Sequence, residues 1–463
     1  MKRLGCLLAI VVAAAQPPSR FQPGVKPFLA FEGDTVALTH VRVIDGTGAA
    51  PREDQTVVIA GGRIAAINSR PPEGARVVDC TGQTVIPGLV GMHEHLFYPA
   101  GGGVPMYPEM AYSFPRLYLA SGVTSARTAG SVEPYTDLNL KAMIDAGKMP
   151  GPRLFLTGPY LEGKGGPGPQ LHELTGPEDA TRLVEYWAGL GITSFKAYMH
   201  VTRAELSATV AAAHKRGIKV TGHLCSIGFR EAAAFGIDNL EHGLLVDTEF
   251  HAGKQADVCP AVARSEIAQL DLNTPAVREM IAELVKHNVA ITSTLAVFEA
   301  FDPNRPPVEQ RFLDAVSTEA AAQYLAARAR ATARIDAALK KELEFERAFV
   351  KAGGLLIAGA DPTGNGGALA GFADQRNIEL LVEGGFTPVE AIRIATSNGA
   401  KFLGEGERIG TIAVGKTADL VVLDGNPSER IADVHKVKLV FKDGAAYDPA
   451  KLLESVRGQA GLR

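Results

Sequence analysis

"FKAYMHVTRAELSATVAAAHKRGIKVTGHLCSIGFREAAAFGIDNLEHG", residues 195–243, alternates three short apolar or β-branched runs with alanine-rich, polar sequence. Each run ends at or next to a basic side chain, and these are Lys196, His223 and His242. Parallel strands that are joined by helices all end on the same side of their sheet. The segment therefore predicts that these side chains lie close together at one edge of a parallel sheet.

Helix signals occupy the gaps between the runs. A threonine followed three residues later by a glutamate is the signature of a capping box, which begins a helix. It is formed by Thr175 with Glu178, Thr202 with Glu205, and Thr387 with Glu390. After Thr202, apolar side chains fall on one helical face and Gly217 closes the helix. Strands and helices therefore alternate.

The same alternation covers the middle of the chain and gives eight candidate strands. They are residues 85–90, 122–128, 154–158, 192–197, 219–222, 239–241, 289–294 and 355–359. Eight parallel strands with intervening helices are the number that closes a (β/α)8 TIM barrel. We expect an α/β fold with this barrel over residues 89–404, in which residues 309–351 form a helical lid.

Both ends of the mature chain have a different texture, with alternating apolar and polar residues and no helix signals. Gly61-Gly62 and Asp443-Gly444 each separate two such runs and are typical of hairpin turns. Strands at both ends that enclose a different middle predict one small composite β-sandwich domain. We expect it to combine residues 16–88 with residues 405–463.

The first residues, "MKRLGCLLAIVVAAAQ", have the layout of a secretory signal peptide. Two basic residues precede a short apolar stretch and three alanines, so cleavage is expected near Ala15 and residues 1–15 would be removed. The expected location is periplasmic or secreted. Cleavage leaves Cys80, Cys225 and Cys259, without CxxC spacing, and the pattern favours free buried thiols over a disulfide.

Composition excludes several classes of partner. The chain of 463 residues is 46% hydrophobic and has a formal net charge of -4. This balance gives no basic bias for nucleic acid and no polybasic run for a membrane surface. We expect a small-molecule substrate, no membrane association after signal cleavage, and a homo-oligomeric assembly.

Six side chains follow the predicted strands and are of the types that bind divalent metals. Each alone has an ordinary explanation, as a core histidine, a surface lysine or a turn aspartate. Together they would be costly to bury without a partner, and a metal centre removes that cost. The candidate ligands are His93, His95, Lys196, His223, His242 and Asp361.

With these residues and the C-terminal "GKTADLVVLDGNP", residues 415–427, the chain resembles the amidohydrolase superfamily of metal-dependent hydrolases. Residues 195–243 resemble most closely its imidazolonepropionase-like and prolidase-like dipeptidase branch. The resemblance implies that the six side chains hold two divalent ions, of which Zn²⁺ is expected. It also implies that Lys196 is carboxylated and bridges them, whereas imidazolonepropionase itself uses one metal.

In that family, a metal-bridging hydroxide attacks a scissile C–N bond. The resemblance assigns catalytic roles here to Asp361, which would pass a proton to the leaving nitrogen, and to His242. Dipeptides and N-acyl amino acids are the expected substrates. Glycine-rich loops above the strand ends carry Tyr160, His172 and Tyr198, which are candidates for contact with the substrate.

Three other functions stay open at this point. An imidazolonepropionase-like cyclic amidase and a lactonase or phosphotriesterase would use the same metal centre. A non-catalytic barrel scaffold belongs to another class and predicts missing ligands, whereas every expected ligand is present. The ligand set therefore favours an amidohydrolase.

Overall fold

A computed structural model describes residues 21–100, 106–166, 168, 170–261, 264–331 and 335–462. The predicted signal peptide, residues 1–15, lies outside the described residues. Among the described residues, no helix is both long enough and apolar enough to span a bilayer.

Strands from both ends of the chain form one mixed sheet. Its order is β18-β17-β16-β5-β1-β2-β3, and β4 pairs with β1. These strands are β1 (Thr35–Val43), β2 (Arg52–Ala60), β3 (Arg63–Ile67), β4 (Arg76–Asp79), β5 (Gln83–Pro87), β16 (Leu420–Asp424), β17 (Val437–Lys442) and β18 (Ala445–Tyr447).

Both predicted hairpin turns are confirmed. Ala60 pairs with Arg63 across Gly61-Gly62, and Lys442 pairs with Ala445 across the second turn. In that turn Asp443 and Gly444 have φ angles of 50° and 78°, as a two-residue hairpin requires. Apolar side chains from both ends of the chain share one core. A separate composite domain with bounds at residues 88 and 405 stays a prediction.

The middle of the chain forms parallel sheets between helices, which confirms an α/β fold. The order of one sheet is β10-β9-β11-β12-β13-β14-β15, and that of the other is β6-β7-β8. The strands are β6 (Leu89–Glu94), β7 (Val123–Thr128), β8 (Arg153–Phe155), β9 (Leu161–Glu162), β10 (His172–Glu173), β11 (Ser194–Ala197), β12 (Lys219–Gly222), β13 (Asn239–Glu241), β14 (Ala290–Ser293) and β15 (Leu356–Ala358).

Two contacts join the two parallel sheets. Thr157 forms a parallel bridge with Ser194, which links the residues after β8 to β11. At the other side, the backbone N–H of Asp361 donates to the carbonyl of His93 at 2.9 Å, which links the residues after β15 to β6. Closure of all the strands into one barrel stays a prediction.

Helices connect and cover these strands. They are α1 (Ser113–Ala120), α2 (Pro134–Asp145), α3 (Pro177–Gly189), α4 (Arg203–His214), α5 (Phe229–Ala234), α6 (Arg264–Gln269), α7 (Pro275–Lys286), α8 (Leu295–Glu299), α9 (Gln310–Ala315), α10 (Thr318–Arg330), α11 (Asp336–Lys351), α12 (Phe372–Glu383), α13 (Pro388–Arg393), α14 (Gly399–Phe402) and α15 (Pro449–Glu454).

Two of the three predicted capping boxes are present. The side chains of Thr202 and Thr387 cap α4 and α13. The prediction for Thr175 is wrong because α3 begins at Pro177, so Gly176 is its N-cap. The described residues between 309 and 351 contain the helices α9, α10 and α11, as expected. A role of these helices as a lid stays a prediction.

The expectation of free thiols at Cys225 and Cys259 is wrong, because the structure joins them in a disulfide. Thr248 and Lys254 both donate to the carbonyl of Cys225, which folds the loop before Cys259 back over the end of β12. The two Cα atoms are therefore 4.8 Å apart although 34 residues separate them in sequence. Cys80 is a buried free thiol.

Candidate metal centre

The ends of five parallel strands bring the six predicted ligands to one cavity of about 260 Å³. His93 lies in β6 and His95 directly follows this strand. Side chains two residues apart in an extended chain point to the same face, so both imidazoles lie on one side. Lys196 lies in β11. His223 directly follows β12, His242 directly follows β13, and Asp361 lies shortly after β15. The six ligands, His93, His95, Lys196, His223, His242 and Asp361, all line this cavity.

Their polar atoms lie close enough to share cations. Lys196 Nζ is 3.2 Å from His93 Nε2. Asp361 Oδ1 is 3.3 Å from His95 Nε2 and 3.7 Å from His93 Nε2. The rings of His223 and His242 have centroids 4.6 Å apart. Ligand atoms of His93, His95 and Asp361 all lie within 4.8 Å of one another, which suits a metal ion.

Partners behind the histidines fix the orientation of their rings. His93 Nδ1 contacts Glu241 Oε2 at 2.8 Å, and the guanidinium of Arg127 donates to the other oxygen of that carboxylate at 2.8 Å. His242 Nδ1 contacts the hydroxyl of Thr294 at 2.6 Å. A carboxylate or hydroxyl on one ring nitrogen leaves the lone pair of the other available to a metal.

The fit to a metal is tested by the ring atoms that face the cavity. His242 Nε2 is buried and has no hydrogen-bond partner among the described residues. His93 Nε2 faces the amine of Lys196, whose side chain is also buried. Buried polar atoms without partners are costly, and a cation supplies the missing partner. The donor set of imidazoles, a carboxylate and an amine therefore fits divalent metal ions.

Burial keeps the histidines neutral, which is the form that binds metals. It lowers the pKa of His95 to about 4 and that of His223 to about 3. The pKa of His242 is also lowered, first by burial and then by the neighbouring His93 and His223. At neutral pH these imidazole rings are uncharged, and each has a nitrogen lone pair that can bind a metal.

A metal centre requires a neutral amine at Lys196 and an ionised carboxylate at Asp361. The surroundings of the two side chains favour these forms. Burial lowers the pKa of Lys196 to about 8, against the opposing effect of Glu241 and Asp361, so a fraction of the amine is neutral. Burial raises the pKa of Asp361, but His93, His95 and His242 lower it more, and the net pKa is well below the usual value. Asp361 is therefore a carboxylate.

The backbone at two ligand positions is in an unusual conformation. His242 has a φ angle of 67° and Asp361 one of 45°, both in the left-handed region. Side chains other than glycine adopt this region rarely, and such positions cluster at functional sites. Both turns redirect the chain at or shortly after the end of a strand, and both side chains line the cavity.

The structure brings two of the three predicted substrate contacts to the cavity. Tyr160 and Tyr198 line it, and Lys196 Nζ lies 5.5 Å and 5.7 Å from their ring centroids. His172 does not lie among the described lining residues, because its half-exposed ring contacts Asp179 Oδ2 at 3.2 Å. A role of His172 in substrate contact stays a prediction.

Sequence reasoning missed the residues that support the ligands. Glu241, Arg127 and Thr294 lie far apart in the chain and meet only through the parallel sheets. The signal available for Glu241 was a carboxylate within a short apolar strand, next to His242. A charge at such a position needs a buried partner.

A sequence profile of the amidohydrolase family matches residues 84–446. The chain belongs to the amidohydrolase family. The resemblance seen in the sequence is thereby confirmed, and the protein is a hydrolase that acts on carbon–nitrogen bonds. No curated protein matches the chain.

Several solved structures share the fold over nearly the whole chain. A protein from Bifidobacterium longum, provisionally named a prolidase, is 25% identical with a TM-score of 0.66, covering 91% of this chain and 99% of that one. A Xaa-Pro dipeptidase with bound methionine is 21% identical with a TM-score of 0.68 (89% and 100% covered). Phenylurea hydrolase B is 20% identical with a TM-score of 0.67 (93% and 100% covered).

Proposed function

We propose that this amidohydrolase cleaves an amide C–N bond with two divalent metal ions, expected to be Zn²⁺. The ions would be held by His93, His95, His223, His242 and Asp361, with a carboxylated Lys196 between them. The observation that carries this proposal is the convergence of neutral imidazoles, one carboxylate and a buried lysine on one cavity. No protein group pairs with His242 Nε2 among the described residues.

When bound, the ions would polarise the scissile carbonyl and lower the pKa of a water molecule to near 7. Asp361 is ionised and would accept the proton of the attacking water at a carboxylate oxygen. It would then deliver that proton to the leaving nitrogen. The hydroxyl of Thr363 donates to Oδ1 of Asp361 at 2.7 Å and supports the carboxylate in this orientation. His242 would act beside it, oriented by Thr294.

We also propose that the parallel strands close into a (β/α)8 barrel, with the mixed sheet as a separate composite domain. The bridge between Thr157 and Ser194 supports closure on one side. The hydrogen bond from Asp361 N–H to His93 O supports it on the other. Closure would hold the six ligands at one rim, where enzymes with this barrel carry out their chemistry.

Export is a further part of the proposal. The disulfide between Cys225 and Cys259 supports an oxidising compartment, such as the periplasm or the outside of the cell. Expression of the full chain in a bacterium with a periplasm, followed by N-terminal sequencing of the periplasmic fraction, tests it. A mature protein that begins near Gln16 is expected, and an uncleaved cytoplasmic protein would count against export.

Hydrolysis by metal-depleted and metal-restored protein tests the proposed function. A panel of linear amides, dipeptides, cyclic amides, lactones and phosphotriesters separates it from the alternative activities. Restored protein should hydrolyse linear amides and the depleted protein should not. His93→Gln should lose both zinc and activity, whereas His40→Gln, at an exposed histidine, should keep both. Amide hydrolysis that survives complete metal removal would contradict the proposal.

A further inference from the structure

Outside the predicted ligands, the described wall of the cavity is mainly aromatic and aliphatic. Its described residues contain no arginine and no lysine other than Lys196. We propose that the substrate is a neutral amide whose groups on both sides of the scissile bond are apolar, with an aromatic or branched substituent. This inference rests on the proposed function and disfavours dipeptides and N-acyl amino acids, which carry a free carboxylate.

The apolar wall begins directly at the ligands. Phe97 stacks on the ring of His95 with centroids 4.4 Å apart, and Tyr107 meets Phe97 edge to face at 5.3 Å. On the other side, Phe298 lies edge to face with His242 at 5.5 Å. Val297 and Leu171 extend the wall. A substrate that reaches the metal centre therefore lies between rings, which favours flat apolar groups.

Two polar side chains of the wall, Gln170 and Thr363, are occupied by the protein itself. Gln170 Oε1 accepts the N–H of Tyr107 at 2.7 Å, and Gln170 Nε2 donates to the carbonyl of the same residue at 3.3 Å. The hydroxyl of Thr363 donates to Asp361. Neither side chain has two unused hydrogen-bond donors that could hold both oxygens of a substrate carboxylate. Hydrogen bonds from these two side chains therefore do not replace the positive charge that the described wall lacks.

The tyrosine hydroxyls do not supply positive charge either. Tyr107, Tyr160 and Tyr198 line the cavity, and a phenol hydroxyl is neutral or negative in either protonation state, so none of them is a counter-ion for a carboxylate. Next to the lining segments, residues 101–105, 167 and 169 are glycine, valine and proline in the sequence and carry no charge. A carboxylate entering the apolar part of the cavity would lose its hydration without gaining a counter-ion.

Binding to matched pairs of compounds tests the inference without turnover. N-phenylacetyl-phenylalanine and N-(2-phenylethyl)phenylacetamide differ only in the carboxylate, and benzoyl and isovaleryl analogues give two more pairs. Calorimetry with metal-depleted wild-type protein should give a Kd at least tenfold lower for the neutral member. Equal or tighter binding of the carboxylated members, or no binding of any neutral member at millimolar concentration, would overturn the inference.

The metal-loaded protein distinguishes failure of this inference from failure of the proposed function. The kcat/KM of the neutral members should exceed that of their carboxylated partners by the same factor or more. Neutral compounds that bind tightly but are never hydrolysed would contradict the proposed function and leave the substrate class standing. Hydrolysis that favours the carboxylated members would overturn the substrate class and leave the amidohydrolase proposal standing.

A positive charge introduced into the wall tests whether the lack of such a charge causes the preference for neutral substrates. Leu171→Arg places a guanidinium at the cavity, and the carboxylated members should then bind at least fivefold more tightly than to wild type. Leu190→Arg is the matched control, because Leu190 is 42% exposed at the end of α3 and does not line the cavity. An unchanged preference in Leu171→Arg would show that wall charge does not select the substrate, and would overturn the inference.

Discussion

Three of the four histidines at the centre use one ring nitrogen for the protein and leave the other for the cavity. The partners are the carboxylate of Glu241 for His93, the carbonyl of Gly130 for His95 and the hydroxyl of Thr294 for His242. Such partners select the tautomer and the ring orientation before any cation arrives. We therefore expect metal affinity to depend on residues that are not themselves candidate ligands.

Asp361→Asn tests the proton transfer assigned to this carboxylate. The amide cannot accept a proton, so kcat should fall by roughly 10²–10⁴-fold. Metal content, measured by mass spectrometry on the same sample, separates loss of the base from loss of an ion. Asp424→Asn, at an exposed residue after a buried stretch of β16, is the control and should leave kcat unchanged. Full turnover by Asp361→Asn with two ions bound would refute the role.

Glu241→Gln tests the support of His93 by a buried charge. Loss of this charge should weaken zinc binding by about 10–100-fold in a chelator competition. Glu346→Gln is the matched control, because burial raises the pKa of Glu346 to about 8 and its side chain is already protonated at neutral pH. Thermal unfolding of the metal-depleted proteins checks folding. Unchanged zinc affinity in a folded Glu241→Gln protein would rule out the supporting role.

The convergence of the six candidate ligands was predictable because each one lies at or just after the end of a recognisable strand, and the ends of parallel strands meet. Glu241 and Thr294 were not predictable as supports, because their role depends on contacts between neighbouring strands. His172 lies in the edge strand β10, and its ring contacts Asp179 rather than the described cavity wall. Which way a side chain of so short a strand points depends on contacts between distant segments, and a sequence pattern does not specify them.

At the scale of elements, the predicted strands of the middle region agree with the structure within three residues at each end, except at the first. The run 85–90 is divided between β5 and β6 at Gly88. A Cβ atom there would lie 2.1 Å from the hydroxyl of Thr124, so the chain can cross between the sheets only at a glycine. The apolar pattern continues through this break, and no periodicity reveals it.

Gly359→Ala tests the tight packing between β15 and β6, which positions Asp361 against His93. A Cβ at residue 359 would lie 2.2 Å from the backbone nitrogen of His93. The free energy of unfolding should fall by about 1–3 kcal/mol in urea denaturation, and zinc content should fall with it.

Gly189→Ala, in α3, is the control for this substitution. An added Cβ there meets no atom within 4 Å, and the change should raise stability by about 0.4–1 kcal/mol. A Gly359→Ala protein as stable as wild type, with full zinc content, would contradict the proposed packing constraint.

At the scale of the whole molecule, Arg153 connects the parallel sheets to the mixed sheet. It lies in β8 and donates to Asp419 Oδ2 at 2.7 Å, to the hydroxyl of Ser125 at 2.9 Å and to the carboxylate of Asp443. Asp419 precedes β16, and Asp443 lies in the turn between β17 and β18. One buried guanidinium thus joins segments nearly 300 residues apart in sequence.

Arg153→Met should reduce the free energy of unfolding by about 3–5 kcal/mol at pH 7, because it leaves a buried carboxylate without its partner. The pH dependence should change as well. Burial raises the pKa of Asp443, but Lys442 and Arg153 lower it more, so its net pKa in the folded protein is below 3.8. This depressed pKa contributes stability above pH 3.8 that is lost as the pH falls.

Urea denaturation between pH 7 and pH 3 measures both effects. The loss of stability on acidification should be smaller in Arg153→Met than in wild type. Arg457→Met is the control, because the ion pairs of Arg457 are exposed and their removal should change neither quantity measurably. Equal stability of Arg153→Met and wild type at pH 7 would contradict the connecting role.

The composite sheet was predictable at this scale because both ends of the chain contain hairpin turns with strand patterns. The disulfide was not, because its cysteines are 34 residues apart and meet only through the loop that Lys254 holds. The homo-oligomeric assembly stays a prediction.

The most direct test of the metal centre is a crystal structure of the zinc-loaded protein with anomalous scattering measured at the zinc edge. Two peaks within roughly 4 Å of each other are expected, surrounded by the four histidines and Asp361, with density for a carboxylate on Nζ of Lys196 between them. Peaks only at other places, or no peak beside His93, His95 and Asp361, would contradict the proposed centre.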